Sequence, residues 1–241
     1  MKLDILAFGA HPDDVELGCG GTIAKMVDLG KKVGVIDLTK GELGTRGNVD
    51  LRKKEAQKAA EILNLSLREN LGFRDGFFLN DEKNKLKIIN KIRQYQPDIV
   101  FCNAKEDRHI DHGRAGVLVA ESCFLSGLKK IETFDTENKS QKAWRPKYVF
   151  HYMQWNEMPP TFVVALNEKY LNTKIKAVKA FESQFYTPDS QEDSTPISSK
   201  NFLESTNYRG KNLGRLIGKE AGEGFIYYET LGIDNFDIFV K

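Results

Sequence analysis

Residues 3–9, Leu-Asp-Ile-Leu-Ala-Phe-Gly, form an apolar run closed by glycine and followed at once by Ala10-His11-Pro12-Asp13-Asp14. A short apolar run that stops on turn residues reads as a strand buried on both faces, the kind found in parallel sheets. The next stretch is helical: from Val15 to Leu29 apolar residues such as Ile23, Met26 and Val27 return at three- and four-residue steps, and Gly30 stops the helix. Val33 to Thr39 is a second apolar run, so the chain opens as strand, helix, strand.

The same alternation continues outward. Asp50 caps a predicted helix over Leu51 to Leu63, where Ala56, Ala59, Ala60 and Leu63 share a face. Leu67 to Leu71 reads as a short strand, Glu82 to Tyr95 as a helix ended by Pro97, Asp98 to Cys102 as the next strand, and Ala115 to Leu125 as the helix completing that unit. The second half is less regular. Tyr148 to Met153 and Phe162 to Leu166 read as strands, Tyr170 to Phe185 as a long helix, Asn201 to Leu216 as a helix, and Phe225 to Tyr228 as a final strand. Thr187 to Ser199 is polar and proline-broken, a loop that either covers a pocket or makes a surface excursion. Strands alternating with helices predict an α/β fold on a mostly parallel sheet. No repeat or linker divides the chain, and 241 residues fit one domain, 1–241.

Composition narrows the function classes. Thirty-six basic and thirty-four acidic residues leave a net charge of +2, which gives no concentrated basic face for nucleic acid or an anionic membrane. The N-terminal apolar stretch is too short and too soon interrupted for a signal peptide, and no apolar run approaches the ~20 residues of a membrane span. Cys19, Cys102 and Cys123 are odd in number and set among apolar residues, as buried free thiols of a reducing compartment are. The expectation is a cytoplasmic protein. Forty per cent hydrophobic content with fifteen Phe fills a core without help from disulfides or a structural metal.

Two windows carry chemistry. The first is Ala10-His11-Pro12-Asp13-Asp14 after the first strand; the second is Glu106-Asp107-Arg108-His109-Ile110-Asp111-His112 after Asp98 to Cys102. Three of only four histidines fall inside them. Ligands of open α/β sheets collect beyond the carboxyl ends of the strands, so both windows can face one crevice. Catalytic zinc takes three N/O ligands and keeps a position open. His11 and Asp14 can reach one ion from a single turn held by Pro12, and His112 supplies the distant third ligand. Asp13, whose side chain diverges from that of its neighbour, is placed as general base toward water activated at the metal. His109 can donate to an oxyanion or leaving amine, with Asp111 orienting its ring and raising its pKa.

Simpler readings compete at each position. His-Pro-Asp-Asp can be an ordinary turn, Asp14 can be a helix N-cap, and the His109 to His112 stretch can be a polar loop. His151, ending an apolar strand, reads as a satisfied core or rim histidine. Gly18-Cys19-Gly20-Gly21-Thr22 lacks the spacing and the lysine of a phosphate loop, and its small residues let the helix pack closely on the sheet. Arg52, near the start of its helix, can reach the strand ends.

Ala10-His11-Pro12-Asp13-Asp14-Val15-Glu16 and Arg108-His109-Ile110-Asp111-His112 resemble the two signature motifs of the PIG-L/LmbE-type zinc N-deacetylases. Thr39-Lys40-Gly41-Glu42, Arg52-Lys53-Lys54-Glu55-Ala56 and Tyr208-Arg209-Gly210 fall where that family has characteristic segments. The nearest resemblance is to the bacterial bacillithiol-biosynthesis deacetylases, which act on N-acetylglucosaminyl-malate. The resemblance implies a Rossmann-like three-layer α/β sandwich with zinc on His11, Asp14 and His112, although iron(II) also suits such a donor set. It further implies Asp13 as base, and His109 on the oxyanion or leaving amine with Asp111 behind it. Arg52 and Arg108 would line the site toward an acidic aglycone, and Glu16 and Gly21 would border the sugar pocket. The substrate would be a small amino-sugar conjugate and the assembly a homo-oligomer, in near relatives often a hexamer. Two readings of other classes stand beside it. A nucleotide-binding oxidoreductase requires a G-x-G-x-x-G that is missing here, and a non-catalytic sugar-binding module leaves Asp13 and His109 without a purpose.

Overall fold

The computed structural model describes residues 1–188, 190–237 and 240. Its strands are β1 (Ile5–Gly9), β2 (Val33–Thr39), β3 (Leu67–Phe73), β4 (Ile99–Asn103), β5 (Tyr148–Tyr152), β6 (Phe162–Leu166) and β7 (Ala221–Ile226). The helices are α1 (Asp14–Asp28), α2 (Val49–Ile62), α3 (Glu82–Tyr95), α4 (Ile110–Ser126), α5 (Glu168–Lys179) and α6 (Lys200–Leu216).

All seven strands join one sheet in the order β3-β2-β1-β4-β5-β7-β6. β3, β2, β1, β4 and β5 are parallel, and β7 runs antiparallel between β5 and β6. The alternation inside β1 shows how the layers arise. Ile5 and Ala7 face a core shared with Val15 and Ile23 of α1, Ala56 and Ala59 of α2, and Ala177 of α5. Leu6 and Phe8 face the opposite core with Ile88 and Ile92 of α3 and Leu118 and Val119 of α4. A strand whose odd and even residues are both apolar must be covered on both sides, which makes the α/β fold that the alternation predicts and the three layers that the family resemblance implies.

Several boundaries differ from the sequence reading, and three of them have a clear physical cause. Helix α2 starts earlier because Asn48, in extended backbone, caps it by accepting from Leu51 N at 2.9 Å, so Asp50 lies inside the first turn. Helix α5 ends at Lys179, and the chain beyond it turns so that Phe181 and Phe185 enter the core. β7 begins at Ala221, four residues before the predicted strand. Its Ala-Gly-Glu-Gly start lacks a β-branched signal, because a Cβ on Gly222 would meet Val163 at 2.4 Å.

The small residues of α1 answer to packing. A Cβ on Gly18 would lie 2.1 Å from the Tyr152 ring, and the helix kinks at Cys19, where φ is −143°. The three cysteines are buried free thiols. Among the described residues no helix is long and apolar enough to cross a membrane.

Candidate active site

The strand order reverses between β1 and β4, since β1 leads to β2 on one side while β4 leads to β5 on the other. Such a switch point opens a crevice beyond the carboxyl ends of the two strands. Residues 10–13 leave β1 there and residues 104–109 leave β4. Asn103, the last residue of β4, ties the two loops together: its Oδ1 accepts from Ala10 N at 3.0 Å and its Nδ2 donates to Asp14 Oδ2 at 3.1 Å.

The turn after β1 is under strain at one residue. Asp13 has φ 122°, a conformation costing about 1–3 kcal/mol for a side-chain-bearing residue. Arg52 of α2 holds it in place: Nη2 donates to Pro12 O at 2.7 Å and to Asp13 Oδ2 at 3.1 Å, and Nη1 to Gly41 O at 3.3 Å. Gly41 makes that approach possible, because a Cβ there would sit 2.0 Å from Nη1. Burial pushes the Asp13 carboxyl up to about 7, against the pull of Arg52 and with the help of the adjacent Asp14 charge.

Asp14 begins α1 and sits between two imidazoles. Its Oδ1 lies 3.1 Å from His112 Nε2, and its Oδ2 lies 3.6 Å from His11 Nδ1. Gln154 donates to Oδ1 at 2.8 Å, and the His11 backbone N donates to Oδ2 at 3.0 Å. Each histidine also meets a carboxylate with its other nitrogen: His11 Nε2 pairs with Asp75 at 3.0 Å and His112 Nδ1 with Asp107 at 2.8 Å. These carboxylates are themselves fixed, Asp75 by Leu43 N and Asp107 by Asn156 N. Such a carboxylate behind a histidine fixes the ring and raises its basicity as a ligand.

Protonation shows what the cluster lacks in charge. Burial works against the imidazolium, but Asp14 and Asp107 outweigh it and raise His112 to about 9. His11 is likewise held well above the usual histidine range, with Asp111, Asp14 and Asp75 overcoming burial. Ring nitrogens of His11, His109 and His112 lie within 4.8 Å of one another, as do ligand atoms of His11, Asp75 and Asp111. The second trio reads as support rather than ligation, because both carboxylates lie on the outer nitrogen of His11. Around the inner faces of the two rings, Asp14 lies 3.6 Å from His11 Nδ1 and 3.1 Å from His112 Nε2, while the histidine trio whose ligand atoms all converge within 4.8 Å takes His109 in place of Asp14. Both sets offer N/O donors of the kind a divalent ion accepts.

His109 caps α4. Its Nδ1 accepts from Asp111 N at 3.2 Å, which places the ring proton of the neutral tautomer on Nε2. Its ring centroid is 4.7 Å from that of His11. Burial and the two neighbouring histidines lower its pKa. This corrects the expectation that the Asp111 carboxylate orients His109 and raises its pKa. The carboxylate instead bonds Gly76 N and Arg114 and lies 3.4 Å from His11 Nε2, so it does not orient the His109 ring, and its upward pull on that ring is outweighed by burial and the two histidines.

The remaining expectations divide. Arg108 is exposed and lies over the Trp155 ring at 4.4 Å. Arg52 is buried on Asp13 rather than presented to an aglycone. Glu16 and Gly21 do not border an open pocket. Glu16 is fully enclosed and ion-paired with Arg68, which also holds Asp37. Gly21 packs against Leu166 and donates its N–H to Glu223 at 3.0 Å. His151 is a core histidine: Nδ1 is 2.7 Å from Asn103 O, and burial pulls its pKa down to about 4. Sequence reasoning misses Asp75, Asn103 and Gln154, each contributed by a loop or strand end outside the two windows. Asp107 lies inside the second window, five residues before His112, and that spacing is its only signal.

Comparison with known proteins agrees with this geometry. Residues 6–123 match the family model PIG-L, described as GlcNAc-PI de-N-acetylase. An uncharacterized deacetylase, YaiS, of Escherichia coli (strain K12) is 30% identical over 186 residues, covering 74% of this chain and 90% of that protein. Diacetylchitobiose deacetylase of Thermococcus kodakarensis is 31% identical over 191 residues, covering 75% and 70%. Among solved structures, the conserved protein TT1542 from Thermus thermophilus superposes with a TM-score of 0.83 at 32% identity, covering 96% of this chain and 98% of that one. With both signature windows converging on one crevice, the chain belongs to the PIG-L family of N-deacetylases.

Proposed function

We propose that the protein is a zinc-dependent hydrolase removing the N-acetyl group from an N-acetylglucosamine conjugate, N-acetylglucosaminyl-malate, in bacillithiol biosynthesis. One observation carries the hydrolytic part. Asp14 stands between two histidines, each backed by a buried carboxylate, with the strained Asp13 beside it on Arg52. His11, Asp14 and His112 would hold the divalent cation, which supplies Lewis-acid polarisation of the acetamide carbonyl and of water when bound. Iron(II) would fill the same donor set.

The chain's own groups account for the proton movements. Asp13, poised near neutrality, takes a proton from the attacking water while Arg52 fixes the direction of its carboxylate. His109, neutral with its proton on Nε2, donates a hydrogen bond to the oxygen on which charge develops or passes that proton to the departing amine. No Ser or Cys nucleophile is required, consistent with three buried cysteines; burial pushes the thiols of Cys19, Cys102 and Cys123 up. The malate conjugate is supported by the motif resemblance and by Arg108 standing exposed at the crevice. The similarity to a diacetylchitobiose deacetylase favours a second reading, a neutral chitooligosaccharide end.

Acetate release from N-acetylglucosaminyl-malate, free N-acetylglucosamine and diacetylchitobiose separates the two. A kcat/KM at least about tenfold higher on the malate conjugate, the contribution of one charged contact, is expected. Preference for diacetylchitobiose would transfer the assignment to the second reading.

A further inference from the structure

Beside the crevice lies a second concavity, a cavity of about 210 Å³ between α6 and the loop after β5. Gln154, Trp155, Lys174, Phe202, Thr206 and Arg209 line it. That volume is below the roughly 300 Å³ at which pockets for whole drug-sized ligands begin, so it accommodates one part of a substrate. Gln154 joins it to the reacting end: the side chain that lines the cavity donates to Asp14 Oδ1 at 2.8 Å and accepts from Asn103 Nδ2 at 3.3 Å.

The charges around this cavity are unusual for the chain. Its other half-buried or buried arginines are neutralised or fully bonded: Arg46 by Glu192, Arg52 by Asp13, Arg68 by Asp37 and Glu16, Arg114 by Asp111, and Arg93 by three carbonyls and Thr133. Arg209 is half-buried and donates to the Trp155 carbonyl, yet among the described residues it has no carboxylate within 4.0 Å. Glu157 and Asp107 act on it only through their fields, and burial lowers its pKa. Arg108, on the ring of the same tryptophan, also lacks an ion-pair partner among the described residues. Lys174, buried on the cavity wall, is paired with Glu223, which already accepts from Gly21 and Thr22. A half-buried guanidinium presented to a small cavity without a counter-charge is the arrangement that binds a carboxylate by paired N–H donors.

We infer that this cavity is the subsite for an acidic aglycone, a small carboxylate-bearing group, with Arg209 as its principal guanidinium partner and Arg108 closing over it from Trp155. The inference rests on the N-deacetylase reading of the neighbouring crevice and names the specificity element beside it. The sugar's acetamide would lie at Asp13 and Asp14 while the acid group reaches past Gln154.

The test uses the zinc-reconstituted full-length protein, Arg209→Gln and Arg209→Lys. The readout is the ratio of kcat/KM on N-acetylglucosaminyl-malate to that on the neutral methyl N-acetylglucosaminide. Arg209→Gln should lower this ratio by about 10- to 100-fold, the span of one charged hydrogen-bonded contact, through KM. Arg209→Lys, which keeps the charge and loses the fork, should recover part of it. A ratio unchanged in Arg209→Gln overturns the inference. Fluorescence of Trp155, isolated by Trp144→Phe, titrated with free L-malate gives a reading independent of turnover. Saturable, Arg209-dependent change in a protein that releases acetate from neither substrate would uphold the subsite and remove the deacetylase reading. Acetate release from both substrates without an Arg209-dependent signal or ratio would do the reverse.

Discussion

Asp13, the proposed base, is expensive to the fold. Its left-handed backbone and its buried carboxyl both cost stability, and Arg52 offsets part of that cost. Asp13→Asn keeps the shape and removes the base, so turnover should fall by about 10²- to 10⁴-fold while metal content stays at that of the wild type by elemental analysis. Loss of the metal would instead make Asp13 a ligand. The carboxyl's raised pKa also fixes the sign of the pH profile: the base works only when ionised, so rate falls as pH drops through its pKa. A bound cation beside it lowers that pKa, so the acid limb of kcat/KM should lie between the ordinary carboxylate range and about 7. A limb below about 4, the ordinary aspartate value, would rule it out. At Asp107 and Asp75 the prediction is different. Asp107→Asn and Asp75→Asn should each weaken metal affinity by about 10- to 100-fold, measured by competition with a chelating dye, and turnover should recover at saturating metal.

At the scale of elements, the two halves of the site come from sequence features of unequal visibility. The apolar run of β1, the helical period of α1 and the strand at β4 are all legible, because each is buried on both faces or along one stripe. The two histidine windows are legible because histidines are scarce here and both windows lie just beyond strands. The carboxylates behind the histidines are not, since Asp75 comes from the turn after β3 and reaches His11 only through the sheet order. Asp111 is read onto the wrong histidine for a related reason: sequence adjacency to His109 says nothing about a side chain that α4 aims back at Gly76 and His11. The α2 cap goes to Asn48 rather than Asp50 because a cap needs the extended backbone that only the earlier residue has. Asn48→Ala should therefore cost about 0.5–2 kcal/mol in denaturant unfolding, and Asp50→Ala clearly less. Gly18→Ala should destabilise by about 1–3 kcal/mol, because its Cβ would overlap the Tyr152 ring.

Across the whole molecule, the fold brings Asp14, Asp75, Asp107 and Asp111 onto two histidines, and this concentration of negative charge makes metal binding and protonation compete. The carboxylates raise His112 to about 9 and hold His11 well above the usual histidine range, which favours the imidazolium forms in the metal-free protein. Metal binding must then release protons, and affinity should rise with pH until about 9. Calorimetry at pH 7 in buffers of different ionisation enthalpy should detect between one and about two protons released per ion, the two imidazoles being the source; none released would contradict the protonated cluster. The sign for stability follows from the same shift. A histidine with a raised folded-state pKa stabilises the metal-free fold below its unfolded value, and that contribution is lost as pH rises through about 9.

The most direct test of the account is acetate release from N-acetylglucosaminyl-malate by the protein as purified, after chelation, and after zinc is restored. Turnover that disappears with the chelator and returns with zinc is the predicted result. Turnover that persists after the metal has been removed to below stoichiometric traces would contradict the assignment of His11, Asp14 and His112 to a catalytic ion.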